Sequence, residues 1–269
     1  MKSTEYIVQS TDQISLGQTR KRSVSGTVCQ QSGLSGKAGL PAIIGITGGI
    51  GSGKSTIARA LAARGYAVYD CDKEAKRIIA ENEEVQQKII ELLGEEAFTH
   101  PSVPSLEEMA GGEVFPVYNT SYVAQRVFAE PELLERLNQI VHPAVKEDIR
   151  QQALPAICQQ SGLYSVSAAV YQAKPVLFIE SAILYEAGLD EICDKIIVVE
   201  APEEVRIERT IARDYNGEAT EENINKVRAR IQAQEAEGSL PSDISCQLVV
   251  QNDGKASIDE LVTKITHWM

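Results

Sequence analysis

GITGGIGSGKST, residues 45–56, contains Gly48-x-x-x-x-Gly53-Lys54-Ser55, the spacing of a phosphate-binding loop. Glycines let the backbone curl until several N–H groups face one anion. A helix that starts at the end of the loop adds its positive N-terminal end to the same anion. Lys54 reaches the β- and γ-phosphates as a mobile charge, and the Ser55 hydroxyl is suited to magnesium. The residues expected to hold ATP are therefore Gly49, Ile50, Gly51, Ser52, Gly53, Lys54, Ser55 and Thr56. A dinucleotide fingerprint is excluded, because Lys54 stands where Gly49-x-Gly51-x-x would need a third glycine.

Working outward, AIIGIT (42–47) leads into the loop as a short apolar run, which predicts a buried strand. STIARALAARG leads out as a helix stopped by Gly65. Further strands are predicted at YAVYD (66–70), PVLFIES (175–181), DKIIVVEA (194–201) and CQLVVQND (246–253). Helical periods fill 73–94, with a break or continuation around Asn82, and then 202–214, 221–236 and 257–269. TSYVAQRVF, PELLERLNQIV and HPAVKEDIRQQA read as successive helices, with Pro131 and Pro143 in first-turn positions. Residues 99–117, with three prolines and a Gly-Gly pair, read as a loop, and 154–174 as an irregular connection. Strands alternating with helices predict an α/β fold with a parallel sheet of five strands covered on both faces. With the loop motif, this is the three-layer sandwich of P-loop nucleotide-binding proteins.

A chain of 269 residues with 43% hydrophobic side chains can bury a substantial core. The net charge of -12 speaks against general nucleic-acid or membrane binding, both of which need basic surfaces. No run of eighteen apolar residues occurs. Five cysteines without a CxxC pair argue against a disulfide framework or zinc site and fit a reducing cytoplasm. Residues 1–40 are rich in Ser, Thr, Gln and Gly, carry five basic and two acidic residues, and read as a disordered extension. The remainder, 41–269, reads as one P-loop domain.

The second predicted strand ends in Asp70-Cys71-Asp72. Strand ends of a parallel sheet face the ligand crevice. One acid could accept a proton from an attacking hydroxyl while the other holds a magnesium-bound water. Asp72 before KEAKR equally suits a helix cap, and the residues alone leave both uses open. No NKxD base-reading motif appears, which weighs against a GTPase.

GITGGIGSGKST, YAVYDCD with KEAKRII, RVFAEPELLERLNQIVHPAV, VLFIESAILYEAG, DKIIVVEAP, RIERTIARD, RARIQAQ and QNDG occur in that order. Together they resemble the dephospho-coenzyme A kinase family over most of residues 42–265. The resemblance implies transfer of the γ-phosphate of ATP to the ribose 3′-hydroxyl of dephospho-coenzyme A. It also implies a helical substrate-binding insertion at about 82–174 and a lid at about 205–240. The second acid of the D-x-D pair, the implied general base, falls on Asp72, and Asp70 would shape the site or its magnesium shell. Arg126 and His142 match the substrate-binding segment. The lid match ERTIARD offers Arg209 and Arg213 to the transferring phosphoryl, with Arg230 a weaker candidate. Arg77, one turn beyond Asp72, could meet a substrate phosphate. Glu180-Ser-Ala-Ile-Leu-Tyr-Glu186 departs from the family's D-x-P-L-L-F-E but keeps an acid at the strand end, available to magnesium through water. The expected partners are thus ATP, Mg2+ and dephospho-coenzyme A, on a monomer or weak oligomer. Two rivals remain at this level: a kinase of the same architecture for a nucleoside, nucleotide or sugar acid, and a nucleotide-binding regulator without phosphoryl transfer.

Overall fold

The computed structural model describes residues 41–99, 116–160, 176–237 and 247–269. The expected extension 1–40, most of the 99–117 loop and most of the 154–174 connection lie outside the described residues. In chain order the elements begin with β1 (Ala42–Thr47), α1 (Lys54–Ala63), β2 (Ala67–Asp70), α2 (Cys71–Glu81) and α3 (Glu83–Leu93). They continue with β3 (Phe98–Thr99), β4 (Val117–Tyr118), α4 (Thr120–Ala129), α5 (Pro131–Asp148), α6 (Leu154–Gln160) and β5 (Val176–Glu180). The last are β6 (Lys195–Glu200), α7 (Glu203–Asp214), α8 (Glu221–Glu237), β7 (Gln247–Gln251) and α9 (Ile258–Trp268).

By their contacts the residues form two compact units. The first contains the sheet, in the order β2-β5-β1-β6-β7, with every pairing parallel. The five strands agree with the apolar runs. On one face Ile44, Ile46, Phe178, Ile197, Val199 and Val250 pack with Ile57 and Leu61 of α1 and with Leu261, Val262 and Ile265 of α9. Helix α9 opens on a capping box, with Ser257 and Glu260 satisfying each other's backbone N–H groups. On the other face β1 has Gly45, where a Cβ would collide with Leu184 and touch the Cys193 sulfur. A second apolar cluster joins Ile50 to Ile207 and Ile211 of α7 and to Val227 and Ile231 of α8.

The second unit is helical and runs from Cys71 to Asp148. Its first helix, α2, follows β2 with no intervening loop. Asn82 divides α2 from α3 by capping the Val85 N–H at 3.1 Å. Buried Ile78, Ile79, Val85, Ile89, Leu93, Val123, Val127, Leu137 and Val145 form its apolar interior. Two elements differ from the sequence reading. PELLERLNQIV and HPAVKED form one helix, α5, with Pro143 inside it. Pro143 removes one N–H donor from the ladder, a local loss that packing against α2, α3 and α4 offsets. A two-residue antiparallel ladder, β3 with β4, also brackets the expected loop, with Phe98 and Tyr118 rings 5.4 Å apart. In the sheet unit, residues 154–160 are helical rather than irregular. Pro155 stands in the first turn, where its missing N–H costs little.

Candidate active site

β1 delivers the chain into the glycine loop, and Lys54 begins α1 directly after Gly53. Gly53 takes a left-handed conformation at φ 94°, and a Cβ there would collide with the Asn252 side chain. Gly51 is also left-handed, at φ 75°, and a Cβ would run into the Arg206 carbonyl. Glycine meets both demands at once: the backbone needs the left-handed region, and neighbouring groups fill the space a side chain would take. The loop closes on itself through Ser52 N–H to the Gly49 carbonyl at 3.1 Å.

Side chains from distant parts of the chain hold this loop. Asn252, buried just after β7, donates from Nδ2 to the Ser52 carbonyl at 2.8 Å. Arg209 of α7 donates from Nη1 to the same carbonyl at 3.2 Å and from Nη2 to Asn252 Oδ1 at 3.2 Å. Arg206 donates from Nε to the Ile50 carbonyl at 2.9 Å, and the Ile50 N–H donates to Gln234 Oε1 of α8 at 2.7 Å. A cavity of about 410 Å³ opens beside Gly48 and Gly49, with Tyr185, Arg206 and Gln234 in its wall.

Ser55 Oγ donates to Glu180 Oε1 at 3.0 Å. Glu180 ends β5 and is in register with Asp70 at the end of β2. Three oxygen-bearing side chains are therefore carried by adjoining strand ends and the first turn of α1. A hydroxyl beside a carboxylate is a hard-oxygen pair of the kind magnesium takes, usually keeping several waters. Among the described residues no group of three His, Cys, Asp or Glu side chains forms a cage for a metal on its own.

Arg213 lies further along α7, where its Nε meets Asp214 at 2.7 Å, and Arg230 of α8 reaches the same carboxylate at 2.9 Å. Burial works against the charge on Asp214, but the two guanidiniums outweigh it and hold the carboxyl below its ordinary range. Arg209 reaches the glycine loop, at the Ser52 carbonyl.

The helical unit carries Asp72, Arg77, Arg126 and His142. Asp72 stands half-buried in the first turn of α2, two residues beyond Asp70. Arg77 forks onto buried Asp148, with both Nη2–oxygen distances 2.8 Å, and also meets Glu74 at 2.6 Å and Glu81 at 3.3 Å. It reaches a phosphate only by giving up some of these carboxylates. Arg126 pairs with Glu130 at 3.3 Å, and its buried Nε lacks a hydrogen-bond partner among the described residues.

Burial, with the charge of Lys146 adding, pushes His142 down to about 4, so the ring is neutral at pH 7. Its folded value lies below the unfolded value of about 6.5. Its contribution to stability is therefore complete above about pH 6.5 and is lost as the pH falls through about 4. Urea unfolding at pH 7 and pH 5 is expected to give a lower midpoint at pH 5, and His142→Gln is expected to shrink that difference. An unchanged difference in the variant would assign the pH effect to other groups.

Sequence reasoning did not find Arg206 or Gln234, and it met Asn252 only within the QNDG stretch of the family resemblance. One signal for Arg206 was present: it lies on the buried stripe of α7 with Ile207, Thr210 and Ile211, where an arginine is out of place. Gln234 and Asn252 had no local signal, because their partners lie 184 and 200 residues away.

The family model for CoaE, dephospho-CoA kinase, matches residues 42–257. A dephospho-CoA kinase from Chlorobaculum tepidum is 35% identical over 229 residues, covering 85% of this chain and 94% of that protein. One from Porphyromonas gingivalis is 34% identical over 197 residues, covering 73% and 79%. The crystal structure of TT1252 from Thermus thermophilus superposes with a TM-score of 0.54 at 27% identity, covering 84% of this chain and 96% of that one. The glycine loop, the parallel sheet and a match over most of the chain lead to one conclusion: the chain belongs to the dephospho-CoA kinase family.

Proposed function

We propose that the protein transfers the γ-phosphoryl of ATP to the ribose 3′-hydroxyl of dephospho-CoA, with Asp72 as proton acceptor and Lys54, Arg209 and Arg213 as the charges that meet the phosphates. The bond from the γ-phosphorus to its bridging oxygen breaks, the bond to the 3′-oxygen forms, and the hydroxyl proton goes to the Asp72 carboxylate. ADP and CoA leave. Family membership supports the reaction. The observation that carries the site assignment is the Ser55–Glu180 contact at 3.0 Å, in the first turn after the glycine loop and beside Asp70.

Ser55 and, through water, Glu180 would hold Mg2+, which when bound neutralises charge on the β- and γ-phosphates. The loop from Gly49 to Thr56 wraps the phosphates; the N–H groups of Ile50 and Ser52 are engaged within the protein, and others of the loop, Gly51 among them, are offered to the anion. Arg77, Arg126 and His142 are assigned to the acceptor, His142 as a neutral hydrogen-bonding group. The segment at about 205–240 acts as the lid, and exclusion of water by it favours the 3′-hydroxyl over hydrolysis. No helix among the described residues is long and apolar enough to cross a membrane. The net charge of -12 speaks against nucleic-acid and membrane-surface partners, and the protein is assigned as a cytoplasmic monomer or weak oligomer on the family resemblance alone.

The test is ADP release from ATP–Mg2+ with and without dephospho-CoA, with the product identified by mass. Acceptor-dependent ADP and a gain of one phosphate on the ribose are expected. A folded, ATP-binding protein with no acceptor-dependent turnover would overturn the reading. Glu180→Gln is expected to raise the Mg2+ concentration for half-maximal rate by about 10-fold or more, as loss of an outer-shell carboxylate does. A magnesium titration checks this, and an unchanged midpoint would remove Glu180 from the metal's surroundings.

A further inference from the structure

Ile50 is gripped at three points by the helix pair α7–α8. Its side chain packs among Ile207, Ile211, Val227 and Ile231. Its N–H donates to Gln234 Oε1 at 2.7 Å, and its carbonyl accepts from Arg206 Nε at 2.9 Å. Arg206 is the unexpected member. Its side chain is only 10% exposed, with Nη1 on Glu235 at 2.6 Å. Its Nη2 is buried without a hydrogen-bond partner among the described residues and lies over Gly49, where a Cβ would collide with the guanidinium. An arginine in an apolar stripe with one donor unsatisfied is a poor choice for stability, since an aliphatic side chain avoids the desolvation cost.

Peptide geometry supplies the use. In a planar trans peptide the carbonyl and the N–H point in opposite directions. The peptide joining Ile50 to Gly51 has its carbonyl on Arg206, so its Gly51 N–H is aimed the other way. The preceding peptide is fixed in the same manner, with its N–H on Gln234 and the Gly49 carbonyl accepting from Ser52 N–H. Both peptides at the head of the glycine loop thus take their tilt from α7 and α8.

We propose that Arg206 is a positioning residue for phosphoryl transfer: by holding the Ile50 carbonyl it turns the Gly51 N–H toward the phosphates of the nucleotide. Gln234 fixes the neighbouring peptide, and Arg206 acts through Ile50 without touching substrate. This inference rests on the ATP-dependent kinase reading above.

The experiment compares the wild-type chain with Arg206→Leu, Arg206→Lys and Gly49→Ala. It measures kcat, the KM for dephospho-CoA, equilibrium binding of ADP and of AMP, and Tm. Leucine suits the apolar stripe, so Arg206→Leu is expected to keep Tm within a few degrees. Its kcat is expected to fall about 10- to 100-fold, below the loss for deleting a catalytic N–H donor outright. ADP binding weakens several-fold, AMP binding holds within twofold because AMP has no β-phosphate, and the acceptor KM is unchanged. Arg206→Lys recovers part of the loss, since an ammonium can still donate to Ile50. Gly49→Ala displaces the guanidinium and reproduces the Arg206→Leu profile, and it adds little when combined with it.

Wild-type kcat and ADP affinity in Arg206→Leu would overturn the proposal. So would a loss shared equally by ADP and AMP, or one that follows Tm across the variants, because either would make Arg206 merely structural. Absence of acceptor-dependent turnover in the wild type would instead overturn the kinase reading, and the ADP-against-AMP comparison would still decide the role of Arg206.

Discussion

Asp72→Asn is expected to lower turnover of dephospho-CoA by about 10²- to 10³-fold while ADP binding stays within about twofold. Asparagine keeps the shape and one acceptor oxygen of aspartate but cannot take up the proton of the 3′-hydroxyl. Asp72 belongs to the first turn of α2, where negative charge is favoured, so the substitution also weakens a small helix-end interaction. That term is too small to unfold the protein and leaves the glycine loop untouched. Single-turnover kinetics with saturating ATP separate the chemical step from product release. Wild-type turnover in the variant would remove Asp72 from the mechanism. Loss of ADP binding in step with turnover would make it a structural acid.

Lys54→Met is expected to cost at least about 10²-fold in kcat/KM, the scale for removing one group that meets charge developing in the transition state. Lys54 is half-buried at the first position of α1, and Gly53 at φ 94° turns the chain so that it starts there. Methionine matches its length and packs equally well, so what is lost is a charge. ADP and ATP binding should weaken markedly and AMP binding little, since the ammonium serves the β- and γ-phosphates. Lys54→Arg should restore only part of the rate, because a planar fork cannot replace a compact point charge within a closed loop. Calorimetric binding of the three nucleotides checks the pattern, and an equal loss for all three would indicate a distorted loop instead.

The sheet was legible because each of its strands is a short apolar run, and the glycine loop because its spacing follows from the anion it must wrap. At Asn82 the sequence left break and continuation open, and the cap of its side chain on the Val85 N–H decides for the break. Pro143 was misjudged because a proline in the middle of a helix is a local penalty, and the sequence gives no local measure of the packing that offsets it. The β3–β4 ladder was missed for a similar reason: two-residue strands carry no period. The contacts that shape the loop are the clearest gap. Arg206, Gln234 and Asn252 act on residues 49–52 from well over a hundred positions away, and only the folded chain brings them there. Arg77 was legible as a charge near Asp72, but its commitment to Asp148, 71 residues on, was not.

The bond from Asn252 to the Ser52 carbonyl has a consequence for how the protein is made. It spans 200 residues, and Asn252 follows β7, the strand at the far edge of the sheet and the last to be synthesised. A nascent chain emerging from the ribosome at about 5–20 residues per second displays the glycine motif early. It lacks Asn252, and the β7 partner of β6, until ten seconds or more later on that scale. Through that interval the motif is a string of flexible glycines without its fixed array of donors. Nucleotide meets the finished loop, and exerts its stabilising effect, only after β7 and Asn252 have been made.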